Sequence, residues 1–267
     1  MTEVSLYNGD VQISFDEDAH AYLFLPDRIP IDGVTGIMKR TLGWSPALAW
    51  WQMTCAVDAI KSGYLKAIES GQGFLEPSAF QALCKESLSA SRKVSKTATD
   101  VGSKVHHFAQ HYKYGQKIPA GDDQFLNGCE AVVGFFDEFN VDSIHTERIV
   151  FSRKHWYAGT CDRLAYINGN LAVVDFKTSK PFKNKWKGPY MEQAYQLCAY
   201  AVALEEEFPD LGKIQEGWII RLDKETGACD PHLVKLPDEL KRGWIMLRSL
   251  EKNMGHFERL WTEQAQG

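Results

Sequence analysis

The sequence has no CxxC pair, no long apolar run and no strong charge of either sign, and each absence removes a class of protein. Its six cysteines, Cys55, Cys84, Cys129, Cys161, Cys198 and Cys229, are scattered. With a polar start, MTEVSLYNGD, that carries no signal-peptide pattern, they are expected to be reduced thiols in a cytoplasm. No apolar stretch approaches the length of a membrane span, so no membrane association is expected. The net charge of −5 excludes a simple basic nucleic-acid binder, while leaving room for positive charge focused in a groove. Internal repeats and low-complexity linkers are also missing. What remains is a chain of 267 residues, 44% hydrophobic, long enough to bury a core as one large domain or one domain with a helical insertion.

The chain is organised around Tyr157 to Lys180, YAGTCDRLAYINGNLAVVDFKTSK. Two β-rich segments flank Asn168-Gly169, the dipeptide best suited to a two-residue type I′ turn, so the spacing predicts a hairpin. Counting outward from that turn pairs Ile167 with Asn170, sets Leu164 opposite Val173, and brings Asp162 opposite Asp175. Side chains so opposed start roughly 4.5–5.5 Å apart at Cβ, and like charges there are destabilising unless neutralised. A divalent cation is the natural candidate. By strand alternation Lys177 shares the face of Asp175, while Val174 and Phe176 point the other way. Two other arrangements stay open at this point: a surface hairpin whose charges are merely solvated, and a turn at Gly169-Asn170, which would set Asp162 against Lys177 as an ion pair.

These residues resemble the motifs of a known superfamily. Gly159-Thr160-Cys161-Asp162 followed by Asp175-Phe176-Lys177 is similar to the GTxD and DxK motifs of the PD-(D/E)XK nucleases, in their RecB-like branch. Three further matches stand in the same order. Gly102 to His106 resembles the branch's GxxxH helix motif, Glu147 its acid before the hairpin, and Gln196 to Tyr200 its QxxxY motif. The resemblance implies a restriction-endonuclease-like core: a central mixed β-sheet flanked by helices, with a small N-terminal β-sheet and a helical insertion. It implies a catalytic set of Asp162, Asp175, Lys177, Glu147, His106, Gln196 and Tyr200. Metal ligation by His106, Asp162, Asp175 and the Phe176 carbonyl follows from it, for one or two Mg²⁺ or Mn²⁺ ions; Glu147 is assigned an accessory role. Without grouped cysteines no iron–sulfur cluster is expected.

Along the rest of the chain, VQISF, AYLFL and RIPI suggest a small antiparallel sheet between Val11 and Ile31. Val34 to Ile37 leads into helix, and Ser45-Pro46 starts a longer helix through Ile68, with Gly63 its weak point. Trp44, Trp50 and Trp51 crowd its start, where Leu48, Trp51 and Cys55 recur at helical spacing and favour core packing over base stacking. Gly71 to Gly73 breaks that helix, and Ser78 to Ser95 reads as a polar helix or a partly mobile segment. A helix from Thr99 to Tyr114 buries Val101, Val105, Phe108 and Tyr112, with His106 beside the stripe. Phe125, Cys129, Val132, Phe136 and Phe139 mark the next helix, and Ser143 to Ser152 a strand carrying Glu147. Gln196 and Tyr200, four apart on a helix through Glu207, share one face. Strands at Ile214 to Leu222 and Pro231 to Leu236 and a helix from Asp238 to Trp261 complete an α/β sandwich. The expected division is 1–98 for an N-terminal β-sheet and helical region packed on the core, and 99–267 for the nuclease core.

Between the hairpin and the Gln196 helix, Lys180, Lys183, Lys185 and Lys187 are interleaved with aromatics including Trp186. Cations that hold phosphates and rings that stack on bases are what a DNA channel needs, and affinity for DNA should then fall steeply with salt. The expected activity is hydrolysis of a DNA phosphodiester. The N-terminal sheet, VTGI segment and tryptophan-rich helix are similar to phage-type and mitochondrial genome maintenance exonucleases. That points to exonuclease action in recombination, repair or end processing, in the cytoplasm of a bacterial or phage-infected host cell. DNA with ends is the expected partner, and a single-strand annealing or replication protein a candidate one. A structure-specific endonuclease would share the chemistry; a non-catalytic DNA-binding module would keep only the fold.

Overall fold

A computed structural model of the chain describes residues 1–17, 19–43, 46–72, 75–179 and 188–266, with the side chains of 46–48, 72, 93–100, 179 and 259–266 left aside. The chain divides into two compact units, Met1–Leu42 with Val105–Gly267, and Gly43–Lys104. In the larger unit, strands β1 (Thr2–Leu6), β2 (Val11–Asp16), β3 (Ala21–Phe24) and β4 (Ile29–Gly33) form an antiparallel meander that leads into helix α1 (Val34–Thr41). The smaller unit holds α2 (Pro46–Ala67) and α3 (Pro77–Ser87), and α4 (Ala90–His111) runs from it into the larger one. Then follow α5 (Asp123–Glu138), β5 (Val141–Ser152), β6 (Tyr157–Ile167), β7 (Asn170–Ser179), α6 (Met191–Glu207), β8 (Glu216–Asp223), β9 (Cys229–Lys235) and α7 (Asp238–Gln266).

The sheet is mixed, in the order β1-β2-β3-β4-β6-β7-β8-β9, with β5 paired to β6 off this path. This is the expected α/β architecture of a central mixed sheet with flanking helices. The hairpin register is also the expected one. Asn168 and Gly169 both have positive φ, at 51° and 84°, as a type I′ turn requires. Ile167 pairs with Asn170 and Leu164 with Val173. Beyond the hairpin, β7 runs parallel to β8 from Ala172↔Glu216 to Ser179↔Asp223, with α6 as the crossover that parallel strands need.

The N-terminal strands differ from the expectation of a region that merely packs on the core. Their meander continues into the main sheet, because β4 runs parallel to β6 through Asp32↔Tyr157 and Gly33↔Ala158. Its apolar residues share one cluster with Ile149, Phe151 and Ala158. The boundary expected at residue 98 falls inside α4, and the helix break lies earlier. Ser89 Oγ hydrogen-bonds the Glu86 carbonyl at 2.8 Å, a side chain competing with the helical backbone. In the smaller unit, core packing of Trp51 does not hold, since it is 38% exposed and its neighbour Trp50 is 70% exposed. Apolar residues lie all round α2, so spacing selects no single face there.

The main core lies between the sheet and α1, α6 and α7, around Leu164, Val173, Leu197, Tyr157 and Trp244. On α5, Phe135 meets Phe176 and Trp218 edge-on or tilted, at 6.4 and 6.3 Å between ring centres. A charged cluster ties β4 to α1 and α7: Arg40 reaches Asp32 at 2.8 Å and Glu251 at 2.6 Å, and buried Arg248 meets Asp32 at 3.0 Å. Among the described residues, no helix is long and apolar enough to cross a membrane. Trp244 is fully buried, edge-on to Tyr157 at 5.2 Å. Trp244→Ala should therefore lower unfolding free energy by about 3–5 kcal/mol in urea titration, with the denaturant slope unchanged.

Candidate active site

The hairpin ladder ends at Arg163↔Val174, so the next residues in register are Asp162 and Asp175. β5 follows β6 along one edge from end to end. The other edge is shared: β4 takes Tyr157 and Ala158, and β7 takes Arg163 to Ile167. Gly159 to Asp162 therefore line a notch where the two neighbouring strands diverge, the kind of opening in which α/β sheets place ligands. Across it the Phe176 amide donates to Asp162 Oδ2 at 2.8 Å, a side chain standing in for a missing ladder partner.

Both acids are buried, Asp162 to 5% and Asp175 to 2% exposure. Buried carboxylates require compensation, and the site supplies it from three directions. His106 Nε2 lies 2.9 Å from Asp162 Oδ2, Lys177 Nζ lies 2.6 Å from Asp175 Oδ2, and Gln110 Nε2 donates to Asp162 Oδ1 at 3.4 Å. The result is asymmetric. Burial pushes the Asp162 carboxyl up, but the hydrogen bond and charge of His106, the Lys177 ammonium and the Phe176 amide together hold it below the usual carboxylate range. At Asp175 burial wins over Lys177 and leaves the carboxyl raised. Desolvation lowers the proton affinity of Lys177 and His106, yet the carboxylates more than offset this and raise both.

Asp175 Oδ2 is held by the Lys177 ammonium in a charge-assisted contact. Two buried carboxylates side by side suit a hard cation, which takes oxygen ligands. Among the described residues no three His, Cys, Asp or Glu side chains converge as a ligand set. A closed protein cage of the zinc type is therefore not formed, whereas Mg²⁺ commonly uses one or two carboxylates and keeps its waters. Of the expected ligands, Asp162, Asp175 and the Phe176 carbonyl suit an oxygen-coordinated divalent ion, while His106 Nε2 is turned to Asp162 Oδ2.

On the α6 side, Lys177 Nζ donates to Gln196 Oε1 at 3.4 Å, and Gln196 Nε2 donates to the Tyr200 hydroxyl at 2.7 Å. The Tyr200 ring packs on Gly159, where a Cβ would come within 2.8 Å of Cε1. The glycine of the GTCD stretch is thus required by the tyrosine of the helix behind it. Glu147 is exposed, with φ at 48°, and falls between the pairs Thr146↔Arg163 and Arg148↔Cys161, the position in register with Asp162. Burial, with a smaller contribution from the Glu147 carboxylate, raises the proton affinity of Tyr22, whose hydroxyl lies 2.9 Å from Thr160 Oγ1. Arg148 pairs with Glu207 instead of Glu147. Lys180, Lys183, Lys185, Trp186 and Lys187, expected to hold DNA, lie outside the described residues, as does Trp44.

Sequence reading missed two neighbours of Asp162. Gln110 follows His106 by one helical turn, a spacing that signals a shared face. Arg163 is a lone cation in an otherwise apolar strand segment, and it is 1% exposed.

Residues 129–253 match the family model described as the PD-(D/E)XK nuclease superfamily. The superfamily resemblance read from the motifs therefore holds for the region that carries the two acids. No curated protein matches. Among solved structures, one solved under the name "Putative exonuclease" from Eubacterium rectale is 14% identical, covering 87% of this chain and 75% of that one, with a TM-score of 0.35. A crystal structure of SSO0001 is 17% identical over 49% of this chain, with a TM-score of 0.28. The chain spans 58% of the length of SSO0001, and both scores are too low to establish a shared overall fold.

From the packing of Gly159 against Tyr200, Gly159→Ala should destabilise the protein by about 1–3 kcal/mol in chemical denaturation. The loss should shrink in a Tyr200→Ala background, where the space has been vacated.

Proposed function

We propose that the protein is a metal-dependent deoxyribonuclease, acting as an exonuclease in recombination, repair or end processing; the match of residues 129–253 to the PD-(D/E)XK nuclease superfamily supports this reading. The observation that carries this reading is the pair of buried acids at the end of the hairpin ladder, with an ammonium 2.6 Å from the second. RecB-like motifs in the expected order support it further, from Gly102 to Tyr200.

Asp162, Asp175 and the Phe176 carbonyl are the groups that would hold Mg²⁺ or Mn²⁺. When bound, such an ion supplies Lewis acidity toward a phosphate oxygen and lowers the pKa of water. The chain's own residues do the rest. Asp162 is fixed by His106, Gln110 and the Phe176 amide, so its carboxylate needs no reorganisation when substrate arrives. Lys177 is about one-third exposed at its side chain, which lets its ammonium meet a phosphate while its base stays anchored between Asp175 and Gln196. There it orients the attacking water and offsets the negative charge that builds on the phosphate oxygens. His106, also about one-third exposed, forms part of the same opening. Gln196 and Tyr200 position Lys177 rather than touch the reacting bond.

Lys177→Ala should lower the rate of Mg²⁺-dependent hydrolysis of end-labelled linear DNA by about 100-fold or more, with the folded circular-dichroism spectrum retained. Hydrolysis at the wild-type rate by this variant would remove Lys177 from the mechanism. Cutting of closed circular DNA by the wild-type protein would replace the exonuclease assignment with an endonuclease one.

A further inference from the structure

We propose that Arg163 is a positioning residue for this site: its guanidinium grips the carbonyls at the end of α4 and so seats His106 and Gln110 on Asp162. The inference rests on the reading of Asp162 as a working carboxylate, and it assigns a task to the residue beside it.

Arg163 Nη2 donates to the carbonyls of Ala109 at 2.7 Å and Gln110 at 2.9 Å, and lies 3.3 Å from that of Tyr112. Nη1 donates to Ser143 Oγ, and the guanidinium carbon sits 4.9 Å from the centre of the Phe136 ring. The last carbonyls of a helix have no partner within it and carry the negative end of its dipole, so a buried helix end needs donors or a cation. Arg163 provides both, and its planar fork fixes direction as well as distance. His106 and Gln110 stand one turn apart at this same end of α4, and both reach Asp162. Gln110 links the two sets of contacts, giving its carbonyl to Arg163 and its side chain to Asp162. Consecutive residues of β6 therefore carry the acid and the clamp that delivers the acid's partners. A slip of the helix end by half a turn would take the His106 ring off Asp162, leaving a buried carboxylate without its main compensation.

A helix cap that serves folding alone would cost stability without changing the His106–Asp162 contact. The deciding measurement is the side-chain ¹⁵N signal of the His106 ring, assigned by its loss in His106→Ala, in wild type, Arg163→Lys and Arg163→Met. The proposal expects the ring signal of Arg163→Met to move to that of a solvated histidine, and Arg163→Lys to lie between. An unchanged ring signal in both variants overturns it. Should Arg163→Met fail to fold, Arg163→Lys alone decides by the same criterion. As a second readout, Arg163→Lys should lower kcat for DNA hydrolysis by about 10-fold or more in wild type. In a His106→Ala/Gln110→Ala background it should have no further effect, and equal fold losses in the two backgrounds would contradict the clamp. If the wild-type protein cleaves no DNA, the nuclease reading falls, while the ring signal still decides for or against the clamp.

Discussion

Two carboxylates buried at neighbouring strand positions, just past the last rung of a hairpin ladder, set the terms for the rest of the structure. Their repulsion is contained by unlike means. Asp162 is fully surrounded by donors, from His106, Gln110 and the Phe176 amide. Asp175 is held by the Lys177 ammonium, and burial still leaves its carboxyl raised. Such a pair of adjacent buried acids suits a hard cation, which takes oxygen ligands.

The sheet makes room for that pair by its connectivity. Because β4 and β7 share one edge of β6 and diverge along it, Gly159 to Asp162 lose a strand neighbour without reaching the periphery of the molecule. Two braces then close on the notch from separate helices. From α6 runs a continuous chain of contacts, Lys177 to Gln196 to Tyr200 to the bare backbone of Gly159, returning to the strand that holds Asp162. From α4 come His106 and Gln110, with the helix end fastened to Arg163. The candidate site is thus a gap in a sheet whose walls are fixed by hydrogen bonds.

Much of this was legible in the sequence, and the reasons differ by element. The hairpin could be read in register because Asn168-Gly169 demands two left-handed residues and a period of two carries the count outward to Asp162 and Asp175. His106, Gln196 and Tyr200 stood out through the resemblance of their motifs to a nuclease family, not through spacing alone. β1 was not, since Val4 and Leu6 give too few apolar positions to show a period. The joining of β4 to β6 rests on two residue pairs far apart in sequence, a tertiary contact that local pattern cannot express. Gln110 and Arg163 escaped for a related reason. A glutamine on a polar helix and an arginine beside an aspartate both read as solvated until the fold shows them buried. The helix boundary near residue 98 was misplaced because Ser89, the residue that interrupts the helix, resembles any other serine in a polar run.

The central claim is that Asp162 and Asp175 together form a seat for a divalent cation. Titration calorimetry of the wild-type protein with Mn²⁺, repeated with Asp175→Asn at the same pH and ionic strength, tests it most directly. The account predicts saturable uptake by the wild type and its loss, or a weakening of about 10-fold or more, in the variant. No heat of binding in the wild type, or the same affinity in both proteins, would contradict it.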